Sequence, residues 1–176
     1  MTAAVALPTQ FVDVSLTVQQ DIEGAVVGFR RRKHAILNDL TPRHLNSSQW
    51  GGHAEGALAE LAASLGLGLP WTGKDYLVGV GGQFEPPADV GRKVEVRWVP
   101  PPNPRYPREP MLNYDDRRDK DGSYYVLVQG WSPTFRLLGW VPGHECRTGE
   151  RKVWPERVVW RFPASRLLPF PLPIDA

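Results

Sequence analysis

The spacing of apolar residues changes character once along the chain. Up to about residue 66 they recur at three- and four-residue steps, and from residue 75 onward they fall in short β-rich runs. Residues 11–16 alternate apolar and polar positions like an edge strand. Thr17 and Gln20 then stand at capping-box spacing, which predicts a helix from about Val18. Its apolar positions are Val18, Ile22, Ala25, Val26, Phe29, Ile36, Leu37 and Leu40, and Thr41-Pro42 ends it. Gly24 and Gly28 weaken this helix or admit a close neighbour, and the basic run at 30–33 reads as a solvated face.

Ser47 and Ser48 cap a second predicted helix, over about residues 50–65, with Gly66 at its C-terminal stop. Ala54, Leu58, Leu61, Ala62 and Leu65 make its apolar stripe. Glu55 lies roughly 70° from the stripe's centre and Glu60 roughly 150° away. Glu55 is thus expected to border the core and Glu60 to face water. Strands are predicted over 76–80, 94–99, 111–114, 124–129, 135–141 and 158–162, with loops at the Pro-rich stretch 100–110 and at the charged stretch 115–122, which reads as the tip of a hairpin. No repeat or break in composition divides the chain. The expected architecture is one domain over residues 1–176, α+β or mixed α/β. An N-terminal strand and helices (11–66) flank a β-rich core (75–168) built on a central mixed sheet, and a tail (169–176) follows.

A chain of 176 residues with 41% hydrophobic and 23% charged residues suits one folded, water-soluble domain. No apolar run approaches the roughly 18 residues that cross a bilayer, and the N-terminus lacks a secretory pattern, so no membrane partner is expected. Cys146 is the only cysteine, which excludes an intramolecular disulfide and fits a reducing, cytoplasmic setting. The net charge of +2 is too small by itself to prove a polyanionic partner, although most of the cations are Arg, the better phosphate fork.

The chemistry concentrates at residues 89–98, where charges alternate with apolar residues on a β-forming run. Val94, Val96 and Trp98 share one face, and Glu95 and Arg97 the other. If Gly91 turns a hairpin loop of three or five residues, Asp89 joins Glu95 on that face, opposite it or one diagonal step away. Two carboxylates with room for water match the oxygen-only demands of Mg²⁺ or Mn²⁺.

A helix bearing Glu55, then Asp89, then Glu95-Val96-Arg97 on an apolar strand resembles the active-site pattern of the PD-(D/E)XK nuclease superfamily. The strands 125–130 and 138–141 resemble small stand-alone members from phages and bacterial mobile elements. The resemblance spans roughly residues 50–168 and implies a restriction-endonuclease-like core. It also implies a metal-dependent deoxyribonuclease in which Glu55, Asp89 and Glu95 hold Mg²⁺ or Mn²⁺ in one cleft. Arg97 stands where the family has lysine, and Ala88 where it usually has proline. Arg97 would counter charge on the attacked phosphate, but Arg is a poor proton acceptor.

On the Pro-rich loop, Arg105, Tyr106 and Arg108 are placed to grip DNA backbone and stack a base. His144-Glu145-Cys146 lacks zinc spacing and a base partner, and the remaining histidines, at 34, 44 and 53, are dispersed. Gly79-Val80-Gly81-Gly82 has no Walker lysine, so no nucleotide cofactor is implied. The rival reading is a catalytically inactive nuclease-fold module that binds nucleic acid or a partner protein. Oligomeric state is left open, a homo-oligomer included.

Overall fold

The computed structural model describes residues 11–37, 49–73, 88–105, 108–117, 119–155 and 157–173. The predicted strand over 76–80, the Gly79–Gly82 run and the Thr41-Pro42 helix stop lie outside them. Helix α1 (Val18–Leu37) opens on the expected capping box. Gln20 N–H donates to Thr17 Oγ1 at 3.3 Å, and Thr17 N–H donates to Gln20 Oε1 at 2.9 Å. Helix α2 (Gln49–Leu67) runs past Gly66. Its stop is Gly68, at φ +66°, with Gly68 N–H bonded to Leu65 O at 3.3 Å and Leu69 N–H to Ser64 O at 3.1 Å. Gly66 serves packing instead, because a Cβ there would crowd Val14 and Leu137.

The two helices pair by an unexpected face. α1 buries Gly24, Val27, Gly28, Arg31 and Arg32, while Val18, Ile22, Val26, Phe29, Ile36 and Leu37 of the predicted core stripe are exposed. The glycines explain the reversal. A Cβ on Gly28 would stand 2.5 Å from His53 O, and one on Gly24 would stand 2.5 Å from Leu58 Cδ2. Backbone meets backbone, and the bulkier stripe is turned outward. Gly28→Ala should therefore cost about 1–3 kcal/mol through overpacking, read as a lower urea midpoint. An unchanged midpoint would contradict the close pairing. α2 is buried nearly all round from Ala57 to Ser64, so its polar side meets α1 rather than water.

Among the described residues there are seven strands, six of them in runs the sequence pattern predicts. β1 (Val12–Ser15), β5 (Thr134–Pro142), β4 (Tyr124–Trp131) and β2 (Val94–Val99) form a mixed sheet in that order, with β2 parallel to β4. β3 (Met111–Asp115), β7 (Arg157–Pro163) and β6 (Glu150–Trp154) form an antiparallel sheet. β4 is covered on both sides. Val126 and Val128 join the core with Leu58, Leu61 and Ala62 of α2, and Tyr125 and Leu127 join Leu112, Tyr114 and Phe162 of the second sheet. The order of layers is α1, α2, mixed sheet, antiparallel sheet. This α+β arrangement includes one strand the sequence pattern missed, β6, whose five residues are all exposed and carry no alternation to read. A short helix, α3 (Gly143–Cys146), follows β5. Among the described residues no helix is long and apolar enough to cross a membrane.

Candidate functional site

Gly91, at φ +58°, makes the tight turn that positions the acidic residues. Val90 and Val94 exchange both backbone hydrogen bonds, at 3.1 and 3.2 Å, enclosing a three-residue loop and setting Asp89 across from Glu95. The segment after α2 clamps the turn: Gly91 N–H donates to Pro70 O at 2.9 Å, and Thr72 Oγ1 donates to Asp89 O at 2.8 Å. Asp89 Oδ2 accepts Val96 N–H at 2.9 Å, which fixes the carboxylate against the start of β2.

Glu95 is half-buried, and no hydrogen bond or ion pair from the described residues reaches its carboxylate. Burial first, and the Asp89 charge second, push it up to about 7, against the opposing charge of Arg97. A carboxyl raised from its ordinary 4.5 stabilises the fold below that value and loses the contribution as pH climbs through 7. The unfolding midpoint of metal-free protein should fall between pH 6 and pH 8, and Glu95→Gln should flatten the slope. A wild-type profile that is flat, or that rises over this range, would refute the assignment.

The third carboxylate of this neighbourhood is Glu60. Contrary to the expectation that it faces water, it is 7% exposed and held in a fork by Arg31 at 2.5 and 2.7 Å, with Trp71 Nε1 donating at 3.4 Å. Burial and the nearby Asp89 charge raise its pKa, and Arg31 opposes them. Glu55 stands elsewhere. It accepts Ser132 N–H at 3.1 Å, beyond the far end of β4, whereas Glu95 is paired with Tyr125 near that strand's beginning. Seven residues of extended chain separate those anchors, roughly 20 Å. The structure therefore does not bring Glu55 to Asp89 and Glu95, and Glu60 is the helix glutamate whose charge lies near Asp89. Burial raises the Glu55 carboxyl too, with Ser132 N–H opposing and Asp21 reinforcing.

Arg97 is held on several sides. Nη2 pairs with Asp119, Nε donates to Asn113 O at 3.2 Å, Nη1 donates to Val96 O at 3.0 Å, and the guanidinium lies 5.0 Å from the Tyr125 ring centre. Burial opposes its charge, but Asp119, Asp89 and Glu95 outweigh that and keep it cationic. Asp119 in turn accepts Asp115 N–H at 2.7 Å. The charged stretch expected as a hairpin tip instead joins β3 of one sheet to β4 of the other and supplies an anchor for Arg97, and the charge of Lys120 also acts on Glu95.

The Pro-rich loop leaves β2 at the end away from Asp89. Arg105 is exposed, its N–H bonded to Asn103 Oδ1 at 2.9 Å, Arg108 is exposed, and Tyr106 lies outside the described residues. Arg92, exposed on the Gly91 turn, and Lys93 after it lie between the two facing carboxylates in the chain. Cys146 is buried, and burial pushes its thiol up to about 12, as an inert structural cysteine requires.

Asp89 and Glu95 offer only oxygen donors, and Mg²⁺ commonly takes one or two carboxylates and fills its octahedron with water and phosphate oxygens. Among the described residues no three His, Cys, Asp or Glu side chains form a single metal-holding group, and Glu60 is engaged by Arg31. The fit is therefore to a two-carboxylate site. Comparison with protein-family models, with curated proteins and with solved structures found no match.

Proposed function

We propose that the protein is a metal-dependent nuclease that hydrolyses DNA phosphodiesters on a PD-(D/E)XK-like, restriction-endonuclease-like core. The observation that carries this reading is the pair Asp89 and Glu95, facing across a three-residue turn two positions before Arg97, with Glu60 approaching from α2. The helix–Asp–Glu-x-Arg order is that of the resemblance, with Glu60 in the position first expected of Glu55.

Asp89 and Glu95 would hold Mg²⁺ or Mn²⁺. When bound, the ion would polarise the phosphate and lower the pKa of a water. Arg97 and Lys120 place positive charge beside the carboxylates, where negative charge grows on the attacked phosphate. Arg92, with Arg105 and Arg108 farther off, would contact the DNA backbone. The lone buried cysteine suits a cytoplasmic setting.

The test is cleavage of single- and double-stranded DNA in Mg²⁺ or Mn²⁺ by wild type, Asp89→Asn, Arg97→Lys and Arg97→Ala. Cleavage should vanish in Asp89→Asn and in chelator, and fall about 10²–10³-fold in Arg97→Ala. If Arg97 acts as fixed charge, Arg97→Lys retains much of the activity. If a group able to shed a proton is wanted there, Arg97→Lys exceeds wild type. One observation favours the inactive binding module: three of the five Arg97 N–H groups are already committed within the protein. Salt-sensitive DNA binding without cleavage by any of the four proteins would decide for it.

A further inference from the structure

Positive charge is concentrated in a part of the chain that the site does not use. Residues 147–166 hold six Lys and Arg against Glu150 and Glu156, a net of +4 in a chain whose total is +2. Most of this stretch is the β6–β7 ribbon at the edge of the antiparallel sheet. All five β6 residues are exposed, Val153 at 68% and Trp154 at 55%. The register sorts the ribbon into two faces. Phe162 and Trp160, opposite Leu112 and Tyr114 of β3, turn toward the mixed sheet. The outer face therefore carries Lys152, Trp154, Arg157 and Arg161, with Glu150 and Asp115 among them. Arg157 lies 5.7 Å from the Trp154 ring centre, bracing one side of the indole, and its Nη1 is 3.6 Å from Asp115. Lys152 pairs with Glu150 at 2.6 Å, and Arg161 reaches the same carboxylate at 3.6 Å. These pairs are exposed, the two made by Arg are long, and two carboxylates serve three cations, so phosphate oxygens can replace them at small cost.

We propose that the outer face of the β6–β7 ribbon binds single-stranded nucleic acid, with Trp154 stacking on a base and Lys152, Arg157 and Arg161 holding phosphates. An indole half out of water offers a π-face that any base can use, and stacking on it needs a base free of its pairing partner, which selects a single strand over a duplex. The surrounding cations supply the sequence-independent attraction to the backbone. An apolar partner would leave those three cations desolvated around the indole, a cost that phosphates turn into a gain. Position supports the assignment. β3, at the other edge of this sheet, lies against β2, where Asn113 O accepts Arg97 Nε–H, and Asn113, Arg161 and Glu150 form one row across the three strands. At about 4.8 Å per strand, β6 stands about 10 Å from β3. An oligonucleotide crossing the face therefore reaches the edge that carries Arg97 within two strand widths. Such binding does not depend on cleavage and applies equally to a module without turnover.

The test is fluorescence anisotropy of a labelled oligothymidine of roughly 15 nucleotides, long enough for one such site, titrated with the full chain in chelator over a range of salt. Wild type should bind with an affinity that falls as salt rises, by a log–log slope of about 0.7 per phosphate contact. Trp154→Ala should weaken binding about 5-fold to 100-fold, and Trp154→Phe should recover part of the loss. Arg157→Gln and Arg161→Gln should each lower the salt slope by about 0.7. Glu150→Gln should tighten binding about twofold to fivefold, a gain that misfolding cannot imitate. No binding by wild type at low salt, Trp154→Ala binding like wild type, no gain in Glu150→Gln, or a preference for blunt duplex DNA or for polyglutamate over oligothymidine would each overturn the proposal. Because the chelator stops cleavage, the two readings fail separately. Trp154-dependent binding by a protein that never cleaves sinks the nuclease alone, and cleavage without Trp154-dependent binding sinks this surface alone.

Discussion

Glu95→Gln is expected to abolish metal-supported DNA cleavage, by about 10²–10³-fold or more, while raising the unfolding midpoint of the metal-free protein at pH 8. Both effects come from one property of the site. The Glu95 carboxyl is half-buried across from Asp89, and burial and that charge disfavour its ionised form. Glutamine keeps the shape and removes the repulsion, so the metal-free fold gains. It also removes an anionic oxygen, so the hold on a divalent ion weakens. Thermal unfolding with and without Mg²⁺ separates the two, since ion binding stabilises only the state that binds it. Wild type should gain stability from Mg²⁺, more at pH 8 than at pH 6, because the carboxyl must ionise to act as a ligand. Glu95→Gln should gain little at either pH. Equal Mg²⁺ shifts in the two proteins would place the ion elsewhere.

Removing Arg31 is expected to be the most damaging single change to the fold. Glu60 is 7% exposed, Arg31 is 6% exposed, and the guanidinium grips both carboxylate oxygens. Arg31→Ala leaves a carboxylate buried beside Asp89 with its main counter-charge gone, at a cost of about 3–5 kcal/mol, a large part of a typical domain's stability. Replacing both partners by leucine should recover most of the loss, because the desolvation of two ions disappears with them. Urea unfolding followed by circular dichroism measures each variant. A loss below about 1 kcal/mol in Arg31→Ala would show that Glu60 escapes to solvent or takes up a proton without strain.

Local rules carried the sequence reading a long way. β2 has its predicted bounds, the α1 cap forms as Thr17 and Gln20 implied, and Gly91 makes the three-residue turn that sets Asp89 across from Glu95. Each of those depends on neighbours within a few residues. What failed depended on which face of a helix a distant element would choose. A stripe calculation assumes that one side of a helix is wet, but α2 is wrapped by α1 and the sheet, so Glu60 is enclosed and Glu55 is left near the β4–β5 turn. The run Ala57 to Ala63, rich in alanine around the whole helix, was the available signal. On α1 the same habit favoured bulky residues over Gly24 and Gly28, although glycine four residues from glycine, with Arg31 one turn on, marks a face made for close approach and one buried ion pair. The Arg97–Asp119 contact joins β2 to a loop 22 residues later, and no local pattern encodes it.

The lone thiol also makes the protein convenient for spectroscopy. Cys146 is fully enclosed at the end of α3, with its sulfur directed at Pro142 O at 3.7 Å and its ionisation suppressed by burial. Maleimide or a nitroxide reagent should therefore pass it by in the native state. A cysteine introduced at an exposed position such as Arg92 would then be the sole labelling handle, with no background to subtract and no need to mutate the native one. A fluorophore there would report on the turn that carries the acidic pair. Quantitative modification of unaltered native protein would show that the α3 region opens on the timescale of the reaction.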